Sequence, residues 1–373
     1  MEELICSIML SALRQISVST KIEMLNRLGS AEAVIAHHKD IKAVIPDAND
    51  NLVNVLKNVD LPRQWAEQEL QYCNNHSIRV LPYNSADYPS RLRECTDAPV
   101  VLYFRGTANI NASRIISIVG TRKCTAYGQD CVHNLVNDLQ KLDPNILIVS
   151  GLAYGIDVCA HRNAIANNMQ TVGVLAHGLD ELYPSSHRDI ASQMVNMGGL
   201  LTEYPTRTYA DKVNFIARNR IVAGISDATI LVESAKKGGG LITAEMAKSY
   251  SRDVFAFPGR TTDYYSEGCN RIIRDNCAAM ITSADDLFAG MNWMTAEQKN
   301  KKRQTGIERQ LFPELSAEEQ SIVNVLTKDN NMQLNVLMSA TGIPVNRLTA
   351  ILFEMEMKGL IRAMAGGVYH LIA

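Results

Sequence analysis

Apolar residues recur at helical spacing through the first 75 positions. Ile5, Met9, Leu10, Leu13 and Ile16 form one stripe; Ile22, Met24, Leu25 and Leu28 form another that stops at Gly29. A period near 3.6 with no strong strand run predicts a small helical bundle over residues 1–75. A connector follows, containing Val80-Leu-Pro-Tyr83 and Asp87-Tyr-Pro-Ser-Arg-Leu-Arg93. Then Ala98-Pro-Val-Val-Leu-Tyr-Phe-Arg-Gly106 reads as an apolar strand closed by its glycine.

From Arg114 to Leu287 the pattern alternates. Short apolar runs at Ile115–Val119, Ile146–Val149, Thr171–Leu175, Gly199–Thr202, Thr229–Val232, Val254–Phe257 and Ala279–Ile281 are separated by stretches of helical length. Near-continuous apolar runs suit strands covered on both faces. Their alternation with helices predicts a Rossmann-like α/β fold: a doubly wound, mostly parallel sheet spanning, with its N-terminal extension, residues 76–290. Residues 291–314 are polar and basic, with Lys299, Lys301, Lys302, Arg303 and Arg309, and read as a linker. Ser316-Ala-Glu-Glu319 then opens a helix as a capping box. Helical stretches around Leu334–Ala340 and Val345–Lys358 follow. Leu360–Ala365, Gly366-Gly367 and Val368–Ile372 give a terminal hairpin, so residues 315–373 predict a winged helix.

Composition adds mainly exclusions. The 373 residues are 46% hydrophobic and 20% charged, with a formal net charge of −2. No global basicity marks a nucleic-acid binder, so any polyanion must be met by local charge. Eight cysteines are scattered without a C-x-x-C pair, which argues against a zinc site and for reduced, packed thiols. No metal and no cofactor is expected. The opening Met-Glu-Glu-Leu lacks the basic start of a signal peptide, and no apolar run is long enough to cross a membrane. A cytoplasmic protein without a membrane partner is the expectation.

The candidate chemistry lies in the turns at strand ends, where ligands of doubly wound sheets bind. Gly120-Thr121-Arg122, with Tyr127-Gly128, offers close backbone approach, a hydroxyl and a guanidinium able to grip phosphate. The dinucleotide fingerprint is incomplete, and no acid ends the second strand, which disfavours a dinucleotide. Ser150-Gly-Leu-Ala-Tyr-Gly-Ile-Asp157 with His161 sets Asp157 and His161 four apart on one helix. They read as a buried brace or, alternatively, as an acid–base pair, and the brace is preferred. His177 in Ala176-His-Gly-Leu-Asp180 reads as a loop packer.

Arg207–Arg220 sets Arg207, Lys212, Arg218 and Arg220 against one acid, Asp211, with Phe215 inside and Asn219 between two arginines. Basic residues interleaved with an aromatic suit a single-stranded nucleic-acid groove, where cations take phosphates and the ring stacks on a base. The competing reading is a solvated helix start with Phe215 in the core. Glu233-Ser-Ala-Lys-Lys-Gly-Gly-Gly240 leads to a helix start near Thr243 and brings Lys236, Lys237 and Gly239. Phe257-Pro-Gly-Arg260 and Gly268-Cys-Asn-Arg271 add Arg260 and Arg271 as phosphate contacts and Asn270 as a loop tie. The turns together predict a cationic rim.

The order of these motifs resembles the bacterial DNA-processing protein A family (DprA, also called Smf). The resemblance runs from about 80 to 290 through Val119-Gly-Thr-Arg, Ser150-Gly-Leu-Ala-Tyr-Gly-Ile-Asp, Phe215-Ile-Ala-Arg-Asn-Arg, Gly240-Leu-Ile-Thr-Ala, Phe257-Pro-Gly and Gly268-Cys-Asn-Arg. It implies a SAM-like helical domain before the sheet and a winged helix after it. It also implies sequence-independent binding of single-stranded DNA, a homodimer through the Rossmann-like domain, and loading of RecA during natural transformation. Family contacts carried over fall on Arg122, Lys212 and Phe215. Gly120, Thr121, Arg218, Asn219, Arg220, Lys237, Gly239, Arg260, Asn270 and Arg271 complete the expected set. Gly238-Gly-Gly240 departs from the Ser-Gly-Ser common in relatives. No catalytic residue is implied.

Two other functions compete. Gly238–Glu245 echoes the loop of nucleotide phosphoribohydrolases, with Glu245 as the acid, although the Thr and Glu spacing differs. The winged helix could instead read duplex DNA, yet Val345–Lys358 carries only Arg347 and Lys358 against Glu354 and Glu356, a poor balance for a major-groove reader.

Overall fold

The computed structural model describes residues 1–58, 62–293, 315–358, 360–364 and 367–372. It divides into two compact units, Met1–Ala296 and Glu297–Ala373.

The first unit opens with six helices: α1 (Glu2–Ala12), α2 (Val18–Leu28), α3 (Ala31–Ala36), α4 (Ile41–Val44), α5 (Asp50–Asn58) and α6 (Arg63–Asn75). Ile5, Met9 and Leu10 become a buried face of α1 and Ile22, Met24 and Leu25 one of α2, while Leu13 and Ile16, expected in the helical run, are buried in the link between the two helices. Ser17 caps the start of α2 by accepting the Thr20 N–H, and Gly29 ends it in the left-handed conformation. There follow β1 (Arg79–Pro82), α7 (Ser90–Arg93) and β2 (Val101–Gly106), so Val80–Pro82 of the connector is a strand. The alternating region then gives β3 (Ile115–Val119), α8 (Ala126–Leu142), β4 (Leu147–Ser150), α9 (Ile156–Ala166), β5 (Thr171–Val174), α10 (Arg188–Met197) and β6 (Gly199–Thr202). It continues with α11 (Lys212–Gly224), β7 (Ala228–Leu231), α12 (Gly239–Ser249), β8 (Asp253–Ala256), α13 (Glu267–Arg274), β9 (Ala279–Met280) and α14 (Ala284–Gly290).

The nine strands form one sheet in the order β1-β2-β6-β5-β4-β3-β7-β8-β9. β3 to β9 run parallel; β2 is antiparallel to both β1 and β6. This is the expected doubly wound α/β sheet. The chain winds outward from β3 through β4, β5 and β6, returns, and winds the other way from β7. The switch point therefore lies between β3 and β7, where the helices that follow them part.

Alternation along the strands explains why both faces are covered. Ile115 and Val119 join the core that reaches α1 and β2, whereas Ile116 and Ile118 join the core beneath α8. The first core is continuous from Ile8 and Leu10 through Leu102 and Phe104 to Val149 and Val174, so the N-terminal helices and the sheet are welded by one apolar mass. β9 departs from the expected pattern: both its residues are exposed, because it is the edge strand.

The second unit contains α15 (Ala317–Lys328), β10 (Met332–Gln333), α16 (Leu334–Thr341), α17 (Val345–Met357), β11 (Ile361–Met364) and β12 (Val368–Leu371). The capping box at Ser316 and Glu319 is formed. β10 pairs with β12 and adds a third strand to the expected hairpin. This is a winged helix. The linker expected at 291–314 lies, from residue 294 onward, outside the described residues, as do Ala365 and Gly366 of the hairpin turn. Among the described residues no single helix is long and apolar enough to cross a membrane.

One ion pair fastens the N-terminal extension to the sheet. Arg91 Nε lies 2.5 Å from Asp227 Oδ1, while the Ile115 N–H donates to Asp227 Oδ2 at 2.7 Å. Arg91 also donates to the carbonyls of Ala112 and Ser113. Asp227→Ala leaves a shielded guanidinium and a strand N–H without their acceptor. It is expected to destabilise the protein by about 2–4 kcal/mol, read as a lower midpoint in urea unfolding.

Candidate nucleic-acid interface

A cleft of about 830 Å³ opens at the switch point. The β3–α8 turn supplies Gly120, Thr121, Arg122 and Lys123. The β4–α9 turn supplies Gly151, Ala153 and Asp157. The β7–α12 loop brings Ser234, Lys237 and Gly238–Gly240, and α11 lays Lys212, Phe215, Ile216 and Asn219 along one side. Tyr183, Tyr264 and Tyr265 complete the lining. Arg122, Lys123, Lys212 and Lys237 are all exposed. None has a carboxylate partner among the described residues.

Phe215 is the centre of the aromatic lining. The Arg122 guanidinium lies 4.8 Å from its ring centroid, and Tyr183 meets it edge-on at 5.8 Å. Arg122 thus rests on an aromatic face with its N–H edge free for an anion. Tyr183 and Tyr264 are 49% and 65% exposed, so their rings reach solvent at the cleft.

The helix starts around the cleft are not equivalent. At α8 the expectation of backbone N–H groups offered to a phosphate is not met. Thr125 caps the helix, and the Glu233 carboxylate, only 2% exposed, accepts the Thr125 N–H at 2.9 Å and its hydroxyl at 2.6 Å. The Thr121 N–H goes to the Glu233 carbonyl, and the Lys123 N–H to the Thr121 hydroxyl. A Cβ on Gly128 would stand 2.1 Å from Glu233 Oε2, so glycine is what lets the carboxylate in. A second anion there would face a buried like charge. Asp211 caps α11 by accepting the Asn214 N–H at 2.7 Å. α9 starts at Gly155 without a side-chain cap but gives its Ile156 N–H to the Thr121 carbonyl, and α12 too starts without a side-chain acceptor. Its cap is Gly238, and Gly238–Gly240 line the cleft. The end of α12 is therefore the anion-receptive one.

Beneath the cleft lies a buried polar brace. Arg218, 3% exposed, donates from Nη1 to the carbonyls of Gly151 at 2.6 Å and of Val174. Burial pushes its pKa down to about 10, against the opposing pull of Asp157. Burial raises Asp157, and the Arg218 charge holds it back. His161 Nδ1 lies 2.7 Å from the Thr171 hydroxyl. Burial and then the Arg218 charge push the imidazole down to about 3. Asp157 and His161 are both buried as expected but do not bond to each other: Asp157 accepts the Ala153 N–H at 3.4 Å, His161 bonds Thr171, and each feels the Arg218 charge.

The expected contact set is thus divided. Gly120, Thr121, Arg122, Lys212, Phe215, Asn219, Lys237 and Gly239 come together in the cleft. Arg218 reaches its floor but is committed to strand-end carbonyls. Arg220 lies outside, 2.5 Å from Glu203 and 3.9 Å from Asp97. Asn270 is the loop tie, bonded both ways to the Gly259 backbone at 2.9 and 3.1 Å. Arg260 and Arg271 are outside the lining. Glu245 is exposed on α12 and also outside it. His177 accepts the Tyr183 N–H at 3.1 Å, a loop packer as expected. Sequence reasoning missed Lys123, Tyr183 and Tyr264. Helical phase could have separated Arg220. At about 100° per residue, Asn219 falls within about 20° of Lys212 and Arg220 about 80° away.

Residues 79–292 match the family described as DNA recombination-mediator protein A, and residues 308–367 match the DprA winged helix domain. The chain is 39% identical over 229 residues to the DNA processing protein DprA of Bacillus subtilis, covering 61% of this chain and 74% of that one. It is 30% identical over 323 residues to the protein Smf of Escherichia coli, covering 84% and 83%. The X-ray structure of DNA processing protein A from Streptococcus pneumoniae is similar with a TM-score of 0.65 and 30% identity, covering 78% of this chain and 97% of that one. A Helicobacter pylori DNA processing protein A structure, described for its single-stranded DNA binding mode, gives 0.52 and 27%, covering 58% and 95%.

The brace sets a pH dependence. The unfolded chain gains a proton on His161 below its ordinary 6.5, whereas the folded chain refuses it until about 3. Stability therefore falls as pH drops from 6.5, by at most about 1.4 kcal/mol per pH unit from this group. Urea midpoints of wild type and His161→Asn between pH 6.5 and 5 should show a flatter dependence in the variant. Equal slopes would mean that the folded imidazole takes the proton readily.

Proposed function

The chain belongs to the DNA recombination-mediator protein A family, and from that premise we propose that it binds single-stranded DNA without reading its sequence. The observation that carries this is the lining of the cleft: four exposed, unpaired cations set around Phe215, Tyr183 and Tyr264. Arg122, Lys123, Lys212 and Lys237 take phosphates, and the rings stack on bases, every one of which has a π face. The uncapped start of α12 takes a further phosphate oxygen. In this reading the protein hands the strand to RecA during natural transformation, acts in the cytoplasm, and dimerises through the Rossmann-like unit. RecA loading, natural transformation and the dimer rest on the family resemblance, and the cytoplasmic reading on the scattered cysteines without a C-x-x-C pair.

The protein acts here as a binder and not as an enzyme. The acid that a phosphoribohydrolase would need, Glu245, is exposed and outside the cleft. The buried Asp157 accepts the Ala153 N–H and lies in the field of the Arg218 charge. Two ion pairs on and beside α17 speak against a duplex-reading winged helix: Arg347 pairs with Glu318 at 2.7 Å and Lys358 with Glu319 at 2.6 Å.

Fluorescence anisotropy with labelled oligo(dT) and a duplex of equal length tests the reading. Single strand should bind more tightly, with a log–log salt slope of about −3 if four phosphates are engaged. Arg122→Ala should weaken binding and make the slope shallower by about 0.7. Phe215→Ala should cost about 1–3 kcal/mol of affinity. Equal affinity for duplex, or an unchanged Arg122→Ala variant, would sink the assignment.

A further inference from the structure

A second cavity, of about 890 Å³, lies between the N-terminal helices and the segment that leads from β6 to α11. Its wall holds Arg14 and Lys21 from the start of the chain, Trp65 from α6, and Tyr204, Arg207 and Tyr209 from that segment. Arg14, Lys21 and Arg207 have no carboxylate partner among the described residues. Lys21 is the unusual member. It is 4% exposed, and Nζ donates to the Ser11 carbonyl at 3.0 Å. Burial pushes its pKa down to about 8. A buried ammonium without a carboxylate is costly, and here it lines a cavity large enough for a nucleotide. Tyr209 is 68% exposed at the rim.

The acids do not cancel this charge. Glu203 is held by Arg220 at 2.5 Å, and Asp211 caps α11. Asp211 lines both this cavity and the cleft, so the two meet at the start of α11. Tyr209 stands on the cavity side of that meeting point and Ala210 on the cleft side. The same combination of unpaired cations and aromatic rings therefore continues past Asp211.

We propose that this cavity is a second subsite for the same strand, taking nucleotides beyond those in the cleft. Lys21, Arg14 and Arg207 meet phosphate, and Trp65, Tyr204 and Tyr209 offer faces to a base. The N-terminal helices then belong to the binding surface, and the occluded length of strand exceeds what the cleft alone covers. This rests on the single-strand reading above.

Trp65 reports on the subsite directly. The chain has two tryptophans, and Trp293→Phe leaves Trp65 as the sole emitter. Full-length protein is titrated with dTMP and with oligo(dT) of about 4 to 16 nucleotides, the range that single-strand grooves accommodate. The longer oligomers should quench Trp65, whereas dTMP and the shortest should not. Lys21→Met and, independently, the exposed-site variant Arg14→Ala should lower long-oligomer affinity, by about fivefold or more for Lys21→Met. Both should leave short-oligomer affinity unchanged. Arg122→Ala should weaken both lengths. Quenching by dTMP as strong as by long oligomers would replace the strand subsite with a free-nucleotide site. Unquenched Trp65 with wild-type affinity in Arg14→Ala, while Arg122→Ala still loses binding, would overturn the subsite and leave the single-strand reading intact. No binding of any strand by wild type would overturn both.

Discussion

The cleft depends on one buried cation. Arg218 reaches from α11 to the carbonyls that end β4 and β5 and sits beside Asp157 at the start of α9. Desolvating a guanidinium costs several kcal/mol, offset only when its donors find acceptors and an opposite charge is close. Strand-end carbonyls at Nη1 and the nearby Asp157 charge meet that condition in part, while Nε is left without an acceptor. The consequence is positional. With α11 pinned at Arg218, Phe215 one turn earlier and Lys212 at the helix start are held over the switch point. The side chains that reach solvent can then be mobile and free, because the helix carrying them is not. Gly151 belongs to the same device: a Cβ there would stand 2.3 Å from Arg218 Nη1.

Glu233 is the complement. It places a buried negative charge where a dinucleotide-binding sheet would seat a pyrophosphate, at the start of the helix after the first parallel strand. The Thr125 and Gly128 N–H groups there are satisfied internally, and the positive field of α8 goes to holding two turns together. Anion binding is displaced to the exposed side chains of the β3–α8 turn and to α12. A pyrophosphate site would favour one compact ligand in one pose. A rim of separate cations with aromatic rings between them favours a repeating polyanion, with no atom of a base singled out. The net charge of −2 is compatible with this because the positive charge is concentrated where other acids are already bonded.

Much of the architecture was legible from apolar periodicity. All seven strands of the alternating region were anticipated, with boundaries moving by at most one residue; six announce themselves as buried apolar runs, and the edge strand β9 is exposed. β10 is two residues long, and no period can be read from two. The site was legible in part. Gly120–Arg122, Lys237 and Gly239 sit where strands lead into helices, the sheet brings such turns together, and Lys212 and Phe215 lie in the first turn of α11 beside them. Arg218 and Arg122 look alike in a sequence, and only tertiary burial separates a structural cation from an exposed one. Tyr183 and Tyr264 lie in loops whose course depends on contacts distant in the chain. Glu233 gave no local sign of its role, since its partner Thr125 is more than a hundred positions away.

Charge pairing distinguishes the working surface from the scaffold. Arg91, Arg220 and Arg252 each have a carboxylate within 2.8 Å and a largely shielded side chain. Such pairs fix segments against one another, and salt weakens them little. Arg122, Lys123, Lys212 and Lys237 are solvated and unpaired. An exposed cation loses little by staying free, since a surface pair is worth about 0–1 kcal/mol. It would lose its capacity for phosphate if a neighbouring acid held it. Leaving these four free therefore costs the fold almost nothing and retains the whole of their attraction for a strand. The same logic makes binding far more sensitive to salt than folding, because the two rest on charges in different dielectric surroundings.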